Sequence, residues 1–194
     1  MTRRALPKIF SRLRHDTRGV AAVEFALIAP VMVLLYLGGV ELTRVIGADR
    51  KVSLASRVAA DLVAREKAAI SATMMTTICK GTLAMLAPFP TGTLNITISS
   101  IVTSATGKST IGWTRVFSNG NCSSSAAGTG PLAAGAVVSL PTGLAVNGAS
   151  LISASTSYDY TTLFRTVFDT ATVNLGEQSY MRPRTQNTVC YVSC

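Results

Sequence analysis

The chain has 194 residues, with 18 Lys and Arg, 9 Asp and Glu and a single histidine, for a net charge of +9. Six of the basic residues (Arg3, Arg4, Lys8, Arg12, Arg14 and Arg18) stand ahead of an apolar run and only Asp16 opposes them, so residues 1–19 hold +5 and everything beyond holds +4; the charge orients a membrane segment and does not argue for nucleic acid as a partner. His15 lies in that leader, which excludes Ser-His-Asp and Cys-His chemistry downstream, and with no CxxC and no GxxxxGK[ST] loop neither a metal nor a cofactor is expected.

From Val20 to Val40 the only strongly polar side chain is Glu24, in a run that matches the roughly 20 residues a helix needs to cross about 30 Å of hydrocarbon. The basic leader holds the N-terminus in the cytoplasm and sends the remainder across, so a single-pass, N-in, C-out topology is expected. Pro30 removes one helical hydrogen bond, which in a membrane helix predicts a kink near Ala26 and not a break. Gly38 and Gly39 either allow close helix approach within the bilayer or form a flexible point.

Four readings of this N-terminus compete. Arg3-Arg4 echoes a twin-arginine signal, but Arg12, Arg14, Asp16 and Arg18 intervene before the apolar run. The run is longer than the 7–15 residues of a conventional signal-peptide core, and Gly38-Gly39-Val40-Glu41 is a poor cleavage site. An uncleaved anchor would place Glu24 near the cytoplasmic interface. The fourth reading takes the basic leader ending in Gly19, then Val20-Ala21-Ala22-Val23-Glu24-Phe25, as one motif. It resembles the processing site of type IV pilin-like proteins, in which a prepilin peptidase cuts after the glycine and leaves the helix attached. Cleavage there would create an ammonium on Val20, one helical turn from Glu24, and a buried carboxylate is tolerable beside such a cation. The resemblance implies that Glu24, followed by Phe25, meets the N-terminal amine of a neighbouring subunit during assembly.

Past Glu41 the pattern becomes amphipathic. Charges alternate in sign through Lys67, while Val45, Ala48, Val52, Ala55, Ala59 and Leu62 recur at helical spacing. Arg57 with Asp61, and Asp61 with Arg65, are i,i+4 pairs worth tenths of a kcal/mol each. The narrow stripe of Ala and Val suits close packing. Helical propensity continues towards Leu86 until Pro88-Phe89-Pro90 stops it, so residues 41–87 are expected to be helical, with Gly81 weakening the last turns and a break near Lys80 left open. If continuous from Val20 to Ala87, the helix would reach on the order of 100 Å.

Residues 91–194 differ in chemistry, being rich in Ser, Thr, Gly and β-branched side chains. Thr93 to Ser99 alternates as a strand, a turn over Ala105 to Thr110 contains Gly107, and Ile111 to Phe117 is the expected hairpin partner. Ser118 to Gly135 is a long loop of small residues and Gly135 to Leu140 a short strand. Leu151 to Tyr160 reads as a strand with Ser and Thr on one face, and Ala171 to Met181 as the last strand. The expected fold is α+β: a long N-terminal helix, first transmembrane and then amphipathic, whose apolar stripe covers one face of a small antiparallel sheet. Asp159 and Asp169 are the nearest approach to an acid pair and read as surface residues.

Cys79, Cys122, Cys190 and Cys194 all fall on the exported side, where disulfides persist. Three connectivities are open; the preferred one closes Cys190 on Cys194 and joins Cys79 to Cys122.

The span from Gly19 to Leu42, the charged helix after it, and Ser179-Tyr180-Met181-Arg182-Pro183-Arg184 near the end together resemble the TadE-like family of minor pilins or pseudopilins in Flp/Tad pilus assembly. Tyr158-Asp159-Tyr160 followed by Leu163-Phe164 resembles the family's strand ahead of its last hairpin. The resemblance implies a non-enzymatic protein of the bacterial inner membrane that acts by assembly. Its implied partners are a prepilin peptidase, the inner-membrane assembly platform, the major pilin and other minor pilins, with a role in adhesion. The competing expectation is an uncleaved, anchored envelope protein whose β domain binds a ligand or the cell wall.

Overall fold

The computed structural model of the chain describes residues 19–67, 69–123, 125–162, 172–185 and 187–192. It is an α+β protein: helices α1 (Val20–Ala64) and α2 (Ala72–Ala84) precede strands β1 (Leu94–Thr103), β2 (Ser109–Phe117), β3 (Ala126–Ala127), β4 (Ser150–Thr161) and β5 (Thr172–Met181). The chain divides into two units, Met1–Thr43 and Arg44–Cys194.

In the first unit the described residues are Gly19 and the opening turns of α1. Pro30 sits inside α1 and the helix continues through it. Phe25, Leu27, Leu35 and Tyr36 are each about 70% exposed, and none of the most apolar 18-residue window is buried within the chain. This is one helix long and apolar enough to cross a membrane.

In the second unit the rest of α1 presents small residues. Ala48, Val52, Ala55, Ser56, Ala59, Ala60 and Val63 are fully buried, the stripe that the 3–4 spacing predicts, with Val45 and Leu62 packed at its margins. Their small size lets the backbone of α1 come close enough to the sheet for the Thr156 hydroxyl to reach the Val52 carbonyl at 3.2 Å.

The helix expected over residues 41–87 is two helices. α1 ends at Ala64, and the chain stays out of helix until Ser71 caps α2 by accepting the Met74 N–H at 3.1 Å. The cause is long-range. Ile70 lies buried in an extended stretch, pairs in parallel with Tyr191, donates its N–H to the Cys190 carbonyl at 2.9 Å and accepts from the Val192 N–H at 2.9 Å. Arg184 N–H takes the Ala64 carbonyl at 3.0 Å, so the C-terminal segment satisfies groups that the next helical turn would have used. Lys80 and Gly81 lie inside α2, so there is no break there.

The strands form one antiparallel sheet in the order β3-β2-β1-β4-β5, with β1 central. Leu94, Ile96 and Ile98 of β1 and Ile152 and Ala154 of β4 line the face under α1 and are fully buried. Each large side chain of that set contributes roughly 1.5–3 kcal/mol by leaving water. The pairing of β1 with β2 shifts register between Ser100 and Ile101, leaving Gly112 as an extra residue. A Cβ at Gly112 would lie 3.2 Å from Val102 Cγ2, so this bulge has little room for a side chain.

The β1–β2 hairpin turns at residues 104–108, with Gly107 at φ 84°, and β4 and β5 begin and end within a residue or so of the expected strands. Two expectations differ. The loop after Phe117 contains the short β3 and a single 3-10 turn at Gly130–Leu132. Gly135 to Leu140 is not a strand; its only bridge is Thr110 with Val137, because Gly135 and Val138 bond the backbone of β2 irregularly. Ala171, Leu163, Phe164, Asp169, Cys194 and the leader through Arg18 lie outside the described residues.

Candidate functional site

Two regions carry the chemistry. In the first unit Gly19 immediately precedes Val20, the first residue of α1. Glu24 is one turn further, on the face that carries Val20, and Phe25 follows it with 72% of its surface exposed. Glu24 is exposed and makes no ion pair among the described residues. In the uncut chain the Val20 nitrogen is an amide and offers Glu24 no charge.

In the second unit Cys79 of α2 and Cys122 after β2 form a disulfide with Cα atoms 5.7 Å apart, as preferred from the sequence. It ties α2 to the chain leaving the hairpin, and both residues belong to the core. Cys190 is also disulfide-bonded.

Asp61 pairs with Arg65 as the helical spacing predicts, but its second partner is Arg184 at 2.5 Å and not Arg57. The hydrogen bond from Arg65, reinforced by the charge of Arg184, holds the Asp61 carboxyl below its ordinary 3.8 against the opposing effect of burial. Burial raises the Tyr158 phenol above its ordinary 10.0, with a smaller push from Tyr160. Trp113 donates its ring N–H to the Val189 carbonyl at 2.8 Å, and the Arg115 guanidinium lies 3.8 Å over the Tyr191 ring. These contacts fasten the C-terminal segment to β2. Sequence reading had no local signal for them, since the partners are more than seventy residues apart.

The face of the sheet away from α1 is polar. Register places Thr114, Ser99, Ser153 and Tyr180 in one row across four strands, and Val116, Thr97, Ser155 and Gln178 in the next. The alternation of Ser153, Ser155 and Ser157 along β4 was legible in the sequence; its alignment with Thr97 and Ser99 was not.

This architecture defines an α+β protein in which a long N-terminal helix, with its most apolar stretch unburied, precedes a small antiparallel sheet. The family model described as TadE-like protein matches residues 19–61, from Gly19 through most of α1. The likeness that the N-terminal residues carry is thus shown over that segment, which ends before the sheet begins. No curated protein and no solved structure matches the chain.

Proposed function

We propose that the protein is a minor pilin or pseudopilin of a Flp/Tad-type pilus, anchored in the bacterial inner membrane by α1 with its sheet outside the cytoplasm. The observation that carries this reading is the placement of Gly19, Val20 and Glu24 at the head of α1, whose most apolar stretch is unburied, within the TadE-like match. A prepilin peptidase cuts between Gly19 and Val20. The new ammonium then compensates Glu24 of a neighbouring subunit, and the apolar surface of α1 leaves lipid for a bundle of like helices. The partners are the inner-membrane platform, the major pilin and other minor pilins. The protein works by assembly and not by catalysis, and its sheet contacts other pilus proteins or a surface in adhesion.

N-terminal sequencing of the mature protein tests the processing step: a chain beginning at Val20 is expected. A chain beginning at Met1 or Thr2 would overturn the reading and leave an uncleaved anchored envelope protein. Gene deletion followed by electron microscopy tests the assembly step, with loss of fibres expected.

A further inference from the structure

On the polar face of the sheet lies a groove of about 320 Å³. Its floor is part polar, from the hydroxyls of β1 and β4 with Gln178 of β5 at the side, and part apolar, from Ile101 and Ile111, and its wall is made by the chain after β3, including Leu132 and Val137. That wall is held by backbone bonds along β2: Gly135 N–H to Ile111 at 2.7 Å, Ile111 N–H to Ala136 at 2.9 Å and Val138 N–H to Ser109 at 3.0 Å. Gly128 is also required, because a Cβ there would collide with the Leu132 carbonyl and stand 2.7 Å from Thr114 Cβ.

The floor has unused hydrogen-bonding capacity. Ser153 and Ser99 are each only 4% exposed. Ser153 accepts from the Gln178 amide at 2.9 Å and Ser99 accepts from Thr114 at 2.8 Å, which leaves each hydroxyl its own proton to donate among the described residues. Thr97 and Ser155, half-buried beside them, make no side-chain hydrogen bond among the described residues. No charged residue among the described residues lines the groove, in a chain of net charge +9.

We infer that this groove binds a neutral glycan. Paired hydroxyl donors and acceptors at strand spacing match the hydroxyls of a sugar ring, and buried donors left without partners favour a ligand that supplies them. Leu132 and Val137 offer an apolar surface to the C–H face of the same ring. Tyr180, half-buried next to Ser153 in register, extends the platform with an aromatic ring. The absence of lining cations argues against phosphate or sulfate ligands, and the absence of lining carboxylates against a metal. The volume accommodates a sugar unit of a longer chain, whose remainder would lie across the exposed sheet. This inference rests on the adhesive role proposed above and names its ligand class.

The test uses the full-length protein in detergent micelles against immobilised hexasaccharides of glucose, mannose and N-acetylglucosamine, with heparin and polygalacturonate as anionic probes. Retention by at least one neutral probe is expected. Thr97→Val with Ser155→Ala removes two hydroxyls with little change of shape, and at least a tenfold loss of binding is expected. Val137→Asp alters only the exposed rim and should weaken binding too, so the proposal stays testable if the double variant folds poorly. Lys108→Ala, in the β1–β2 turn, should bind as the parent does. Binding to no neutral probe, preference for the anionic probes, or variants that bind like the parent would each overturn the proposal. So would capture of purified major pilin in place of any glycan, if Val137→Asp abolished it. Cells carrying the double variant should still form fibres; a parent protein that binds no neutral probe while its cells form fibres sinks this inference alone, whereas fibres that persist after gene deletion sink the assembly reading.

Discussion

Ser179 of β5 donates its hydroxyl to Ser56 of α1 across 2.8 Å in the buried seam between helix and sheet. The direction follows because the single proton of Ser56 is committed to the Ser53 carbonyl at 3.0 Å. Two small polar residues 123 positions apart thus fix how the helix lies against the sheet. Ser56→Ala leaves Ser179 without its acceptor inside the core and should cost about 1–3 kcal/mol. Urea unfolding of the full-length protein, followed by the fluorescence of its single tryptophan, Trp113, measures this; an unchanged midpoint would show that the pair contributes nothing.

The Cys79–Cys122 disulfide closes a loop of 43 residues, which by chain entropy stabilises the fold by about 4 kcal/mol. A thin core should feel that loss. Cys79→Ala with Cys122→Ala is expected to lower the urea midpoint by the corresponding amount, and reduction of the native protein should move it in the same direction.

Asp61 makes stability depend on pH at the acid end. Its folded pKa lies below the 3.8 of the unfolded chain, so its contribution is complete well above 3.8 and disappears as pH falls through the folded value. The two arginine side chains are 59% and 60% exposed, which keeps the effect under about 1 kcal/mol. Comparing Asp61→Asn with the parent at neutral pH and at about pH 2 should show a stability difference only at neutral pH. A difference that persisted in acid would mean packing, and not charge, was lost.

At the head of α1 the expected outcomes separate processing from assembly. A bulky substitution at Gly19 should leave a mature protein about 2 kDa heavier, read by intact mass. Glu24→Gln should leave processing and membrane insertion intact while reducing incorporation into fibres, read by immunoblot of sheared pili. Normal incorporation of Glu24→Gln would remove the proposed pairing with the ammonium of Val20.

Much of this fold was legible because its signals are local. Apolar length marked α1, the 3–4 spacing of Ala48, Val52, Ala55 and Ala59 marked its buried stripe, and period-two alternation marked β1, β2 and β4. The N-terminal motif was equally legible, since Gly19, Val20 and Glu24 stand at fixed spacing along one chain. The polar groove was half visible: Ser153, Ser155 and Ser157 alternate within one strand, but only strand pairing puts them beside Thr97 and Ser99.

By itself, then, the sequence determined the apolar helix, the amphipathic stripe after it and the strands, because periodicity and turn chemistry depend on neighbours a few residues away. Only the tertiary structure decided that α1 stops at Ala64, that Asp61 turns to Arg184 rather than Arg57, and that hydroxyls from separate strands share one floor. Each of these depends on the C-terminal segment or a distant strand arriving with free backbone or side-chain groups, and no local pattern in the earlier residues encodes that arrival.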